Sequence, residues 1–293
     1  MLRNAVWCCA AAVLLAVATA CSSSGSNSST TSAPPPTSAK GSAASVPLRT
    51  QPTGKVVLTW NPDSKVVSAA VDLSGLTPGS SHAMHVHPGN CADQSKPPSV
   101  PFPDITADAA GVAKQTVTSE PVAAGIPTGA YVNVHLAPSA TLGNPGQLNF
   151  TSIACGDIPA GGSSGAGPVT VTMAPPSVAG MPPAGTVALS YDAAAHSLHV
   201  DLTATGLSPN STHGVHIHSG SCTAQGPVVH ELPDLRTDAS GKGTLKATVD
   251  DVTQAPPATG WYVNVHKGPM AQILSDEKPT LLFAPILCAN VSG

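Results

Sequence analysis

Residues 71–91 read VDLSGLTPGSSHAMHVHPGNC, and residues 200–222 read VDLTATGLSPNSTHGVHIHSGSC. A strand-like run leads in each to a His-x-His pair and then a Cys. The correspondence extends in both directions. PDITADAAG at 103–111 answers PDLRTDASG at 233–241, AYVNVH at 130–135 answers WYVNVH at 261–266, and IACGDI at 153–158 answers LCANV at 287–291. One unit is therefore written twice, over residues 51–158 and 185–293, each the size of an ordinary domain. Residues 159–184 between them are rich in Gly, Ser and Pro and read as a linker.

The pattern inside each copy is β. Runs at 55–60 and 66–73 flank the turn sequence Asn61-Pro62-Asp63-Ser64, and 186–191 with 198–203 repeat that hairpin around residues 192–195. Ser197–Thr203 alternates apolar and polar residues, as a half-buried strand does. Composition agrees. With 30 Pro and 27 Gly in 293 residues, 10% charged and 3% aromatic residues, the chain lacks the Lys, Glu and Arg of helical bundles. Short strands joined by turns fit, and the expected fold is all-β: two tandem Greek-key β-sandwich or barrel domains. The net charge of −4, without a basic run, argues against nucleic acid as a partner.

Residues 1–21 carry Arg3, an apolar stretch and a small-residue end before Cys21. That is the layout of a secretory signal, too short to span a bilayer comfortably. Its end, VATAC, resembles a bacterial lipoprotein cleavage box, which implies lipid on Cys21, a membrane anchor and an extracytoplasmic location. Residues 22–50 hold almost no large apolar side chain and are expected to form a disordered Ser/Thr/Pro-rich tether.

Of seven Cys, Cys8 and Cys9 fall in the signal and Cys21 at its end, leaving Cys91 and Cys155 in one copy and Cys222 and Cys288 in the other. Outside the cytoplasm an even count reads as disulfides. Three pairings are open, of which pairing within each copy respects the domain boundary. No CxxC spacing suggests thiolate metal ligands.

The chemistry-bearing residues are histidines. In His85-Val86-His87 and His216-Ile217-His218 the two rings share one face of a strand while the residue between enters the core. His135 and His266 end alternating runs and could each add a third nitrogen from a neighbouring strand. Three imidazoles with an open position suit Cu(II), or Zn(II) holding a water. His82 and His213 have the opposite strand parity and are expected to hydrogen-bond rather than ligate. His196, His199 and His230 occur in the second copy alone and are expected at the surface, and Asp104 and Asp234 are expected to cap turns.

HAMHVHPGNC, PDITADAAG and IACGDI resemble the copper/zinc superoxide dismutase family, and the YVNVH segments with HxH also resemble the CHRD domain, an extracellular β module found in chordin and in bacterial proteins. The resemblance implies copper ligands at His85, His87 and His135, and at His216, His218 and His266. It also implies Cys91–Cys155 and Cys222–Cys288 bonds. Two departures bear on activity. The dismutases' bridging His and zinc ligands have no counterpart between Cys91 and Asp104, and the second copy offers only His230 there, so zinc is not expected. Their substrate-guiding Arg, three residues before the C-terminal Cys, is replaced by Ser152 and Pro285. Three functions follow as expectations. The first is an anchored copper-binding lipoprotein with at most weak superoxide chemistry. The second is an active zinc-free dismutase, and the third is a metal-free CHRD-like interaction module. No particular protein partner is indicated.

Overall fold

A computed structural model describes residues 44–160, 167–176 and 182–291. The expected signal segment, Cys21 and most of the expected tether lie outside the described residues.

The chain enters through β1 (Ser45–Thr50) and turns into the hairpin β2 (Thr53–Trp60) and β3 (Val67–Ser74). Short β4 (Ser81–His82) leads to β5 (Met84–Pro88), followed by two-residue β6 (Val100–Pro101) and β7 (Ile105–Thr106). Then come β8 (Ala113–Thr118), β9 (Ala130–His135), β10 (Ser152–Asp157) and β11 (Val169–Met173). The second copy repeats the plan with β12 (Ala184–Asp192), β13 (Ser197–Thr205), β14 (Thr212–Ser221), β15 (Ala224–Arg236), β16 (Gly243–Val249) and β17 (Trp261–His266). The miniature hairpin β18 (Leu274–Ser275) and β19 (Lys278–Pro279) precedes the final β20 (Pro285–Val291).

The first copy packs a sheet of order β11-β2-β3-β8 against one of order β10-β9-β5-β6. Period-2 patterning decides which side chains lie between them. Val67, Ala69, Val71 and Leu73 of β3 are buried while the residues between them are not, because successive strand residues face opposite sides. In the second copy the strands form one sheet, β15-β14-β17-β20-β1-β12-β13-β16, whose end strands meet again at a Thr237–Gly243 bridge, so it is a nearly closed barrel. The all-β architecture expected from the sequence is what the chain adopts. Its short turns sit at glycines and at Asn or His residues with positive φ, such as His196 and Asn210.

Two segments depart from the sequence reading. Residues 45–50, expected in the tether, are strand β1, and residues 169–173, expected in the linker, are strand β11. Residues 169–173 alternate apolar with polar side chains (Val169, Val171 and Met173), and in 45–50 Val46 and Leu48 fall two apart on one strand face; these patterns outweigh the surrounding low-complexity composition. More unexpected is where they go. β1, which precedes the first copy, pairs with β12 and β20 of the second, and Leu48 and Val46 pack in the second copy's core. β11, which precedes the second copy, pairs with β2, bridges β10 through Cys155–Ala174, and buries Val169, Val171 and Met173 in the first copy's core. The registers are equivalent: Leu48 lies opposite Gly185 as Met173 lies opposite Gly54. Each copy is thus completed by the strand that introduces the other.

The disulfides are Cys91–Cys155 and Cys222–Cys288, across sequence separations of 64 and 66 residues. Loops of this length give about 4 kcal/mol each in the chain-entropy account. The backbone N–H of Cys91 donates to Asp157 and that of Cys222 to Asn290, so each bridge has the same polar clamp beside it.

Candidate metal centre

β5 and β9 are antiparallel neighbours, with His85 opposite Asn133 and His87 opposite Tyr131. Residues 85, 87, 131, 133 and 135 therefore share one face, while Met84, Val86, Val132 and Val134 fill the core behind. β14 and β17 reproduce this, His216 opposite Asn264 and His218 opposite Tyr262. A register shift in the β9–β10 and β17–β20 pairings falls beside His135 and His266. Such irregularities re-aim a side chain.

The structure brings the six expected histidines together as two triads: His85, His87 and His135, and His216, His218 and His266. Within each, one nitrogen per ring lies within 4.8 Å of the other two. All six are buried. The outward nitrogens are fixed by backbone carbonyls. His87 Nδ1 donates to Lys96 O at 2.8 Å and His135 Nδ1 to Phe150 O at 2.8 Å. In the second copy His218 Nδ1 donates to Gly226 O at 2.9 Å and His266 Nδ1 to Phe283 O. An Nδ1–H held this way leaves Nε2 as the lone-pair nitrogen pointing inward, the tautomer a metal requires. The rings are also wedged in place: Tyr131 stacks on His87 at 5.1 Å and Tyr262 on His218 at 4.9 Å, while Phe150 and Phe283 tilt against His135 and His266.

The donor set fits a metal ion. His85 Nδ1, His87 Nε2 and His218 Nε2 are buried without a hydrogen-bond partner, a costly state for a neutral polar atom unless a ligand completes it. In the second triad His216 Nδ1 lies 3.0 Å from His266 Nε2, so the two share a proton that a cation would displace. The sets are all-nitrogen, with no carboxylate in either cluster.

His82 and His213 sit behind the triads as hydrogen-bonding residues. Their Nδ1 atoms donate to the carbonyls of His135 at 2.9 Å and His266 at 2.8 Å, and Ser80 and Ser211 hydroxyls meet their Nε2 atoms. Asp104 accepts from Ser139 and Asp234 from the N–H of Met270, pinning the turns that follow His135 and His266. Of the other histidines, His196 is exposed and His199 partly so. His230 is half-buried edge-on against Trp261, 5.4 Å between ring centres, rather than free at the surface.

The sequence reading passed over several residues: the stacking tyrosines, the two Phe and the buried Asn133 and Asn264. A signal was present, since Phe150 and Phe283 each stand five residues before the disulfide Cys, and Tyr and Asn recur in both YVNVH runs. The copies differ at one telling point. Ser152 Oγ donates to Asn133 Oδ1, and Asn133 Nδ2 reaches His135 Nε2 at 3.3 Å. The matching residue in the second copy is Pro285, which has no hydroxyl, and both polar atoms of the Asn264 amide are left without a partner. Access is defined at the first triad, where a cavity of about 580 Å³ opens onto His87 and His135 between residues 94–98 and 145–147.

Burial holds the imidazoles neutral. Desolvation pushes His85 and His216 from the usual 6.5 down to about 4 and His266 down to about 3, and it also lowers His87, His135 and His218. The unfolded chain takes up protons at these sites near 6.5 while the folded chain does not. Their contribution to stability is therefore complete above pH 6.5 and is lost as pH falls toward 4. Thermal unfolding of the metal-free protein is expected to show a Tm that declines steadily across that window. A Tm flat from pH 7 to 4 would contradict the neutral, buried assignment.

Comparison with known proteins gives a family. The family described as the CHRD domain matches twice in tandem, over residues 29–141 and 162–269. Among solved structures, a similar chain is a point mutant of a SOD-like protein from Bacillus subtilis. It is 18% identical, with 37% of this chain and 90% of that chain covered, at a TM-score of 0.29. A search of curated proteins finds no match.

Proposed function

Since the chain belongs to the CHRD domain family, carrying two copies of that domain, we propose that it is an exported protein, anchored to a bacterial cell membrane through lipid on Cys21, that binds copper through three histidines in each copy. The observation that carries this reading is the pair of inward-facing imidazole triads, each nitrogen within 4.8 Å of its neighbours, with orphaned lone-pair atoms at the centre. An all-imidazole set binds Cu(II) more tightly than other first-row divalent ions. The two disulfides fit an oxidising compartment. No helix among the described residues is long and apolar enough to cross a membrane.

Bound copper would supply a one-electron couple. The chain's own residues hold it and fix the ligand tautomers through the Phe150, Lys96, Phe283 and Gly226 carbonyls. They do little to attract an anion. Ser152 and Pro285 occupy the positions of the dismutases' guiding Arg, and Lys96, the one cation lining the first triad's cavity, is itself exposed. A solvated ammonium is screened and steers weakly. Metal holding with at most weak superoxide chemistry is the reading that results.

The test is stoichiometry. The purified, disulfide-bonded protein is dialysed against Cu(II) and the bound metal counted by mass spectrometry, with an EPR spectrum of the same sample. Two coppers per chain with nitrogen hyperfine splitting are expected. No tightly bound copper would sink the proposal and leave a metal-free interaction module.

A further inference from the structure

A cavity of about 300 Å³ lies at the seam between the two copies, separate from either triad's metal-facing side. Its walls are largely apolar, contributed by Leu76 and Ile153 of the first copy, Ile286 of the second, and Pro52, Pro175 and Pro285. No Asp or Glu lines it. Six polar residues do, Gln51, Thr77, His82, Thr151, Ser152 and Lys267. Lys267, partly buried, makes no ion pair or side-chain hydrogen bond among the described residues, where the only ion pair is Lys246–Asp201. Gln51 is 7% exposed, and its Oε1 is buried without a donor. Room for that amide is made by Gly75, at φ +79°, where a Cβ would fall 1.8 Å from Oε1.

Internal symmetry sharpens the point. His135-Leu136-Ala137-Pro138 in the first copy corresponds to His266-Lys267-Gly268-Pro269 in the second. Leu136 is 2% exposed. A position that is plainly apolar in one copy thus carries a cation in the other, and that cation faces an apolar chamber. An uncompensated ammonium in such a place is destabilising unless an anion satisfies it. A concave, mainly apolar chamber with a few convergent polar groups is the form small-molecule sites take.

We propose that this seam is a binding site for a small organic carboxylate with an apolar body, the carboxylate on Lys267 Nζ and the alkyl chain or ring against Leu76, Ile153 and Ile286. The site goes beyond metal binding and stands whether or not the triads hold copper. It is built from both copies and from the residues that end both exchanged strands, Gln51 and Pro52 after β1 and Pro175 after β11, so an occupant ties the two halves together.

The experiment is a calorimetric titration of the purified full chain with octanoate, octanol and octylammonium at neutral pH. Saturable one-to-one binding of octanoate is expected, with octanol at least tenfold weaker and octylammonium weaker still. Lys267→Met should weaken octanoate at least tenfold and bring it level with octanol, and Lys267→Arg should retain most of the affinity. Equal affinity for octanoate and octanol would overturn the proposal, as would full octanoate affinity in a folded Lys267→Met chain or no saturable binding at all. If Lys267→Met does not fold, the comparison of octanoate with octanol on the unsubstituted protein still decides.

Discussion

A chain that begins at Gln51 is expected to keep its first copy folded and to lose its second. Composition alone places such a cut harmlessly at the end of a tether. The structure places it through the strand that lies between β20 and β12. β1 is an interior strand of the second copy's sheet, paired at Ser45–Leu48 with β12 and at Arg49 and Thr50 with β20. Its removal strands the ladder groups of both neighbours and uncovers the core that Leu48 seals at 4% exposure. Burial of one such side chain is worth roughly 1.5–3 kcal/mol, and the opened ladders add to that, against a total domain stability of about 5–15 kcal/mol. β11 offers no substitute, since it is engaged in the first copy. Hydrogen exchange should show residues 184–291 losing protection while residues 53–160 keep theirs, and the copper count should drop from two to one. Equal protection of both copies in the truncated chain would show that β1 is dispensable.

The second large effect is chemical. His85→Ala with His87→Ala is expected to remove copper from the first copy and leave one per chain. Two of three ligands are lost, so the affinity falls by more than the 10–100-fold typical of losing an outer-shell partner. The domain should stay folded without metal, because the double change deletes two buried nitrogens that have no partner in the metal-free state, His85 Nδ1 and His87 Nε2. The remaining EPR signal then belongs to the second triad alone, and His216→Ala with His218→Ala should leave the complementary spectrum. If the first copy unfolds instead, its histidines are structural. If two coppers persist, the metal sits elsewhere.

Much of this was legible in the chain. The HxH pairs lie on one strand face because strand geometry fixes i and i+2 together, and the duplication singled out the third His and the Cys partners. The parity of His82 and His213 already separated them from the triads, and they do hydrogen-bond to backbone. What the sequence hid is of another kind. Ser45–Thr50 is six residues long, contains a Pro and stands in a polar stretch, and no local pattern states which of two similar sheets a strand will join. That choice is a long-range pairing. The carbonyls of Phe150 and Lys96 that set the tautomers were hidden for the same reason, since backbone groups leave no mark in residue identity. The orphaned Asn264 required the structural match of Ser152 with Pro285.

The strand exchange also sets a timetable. A chain is delivered from its N-terminus, so β1 emerges first, yet its partners β12 and β20 arrive at residues 184–192 and 285–291. The first copy can close once residue 173 is out, because β11 ends there. Throughout that interval the leading strand waits unpaired, an exposed edge of the kind that invites wrong partners. Its shortness, its Pro47 and the charge on Arg49 suit that wait. The expected order is the first copy before the second, with β1 gaining one neighbour when β12 appears and the other only with β20.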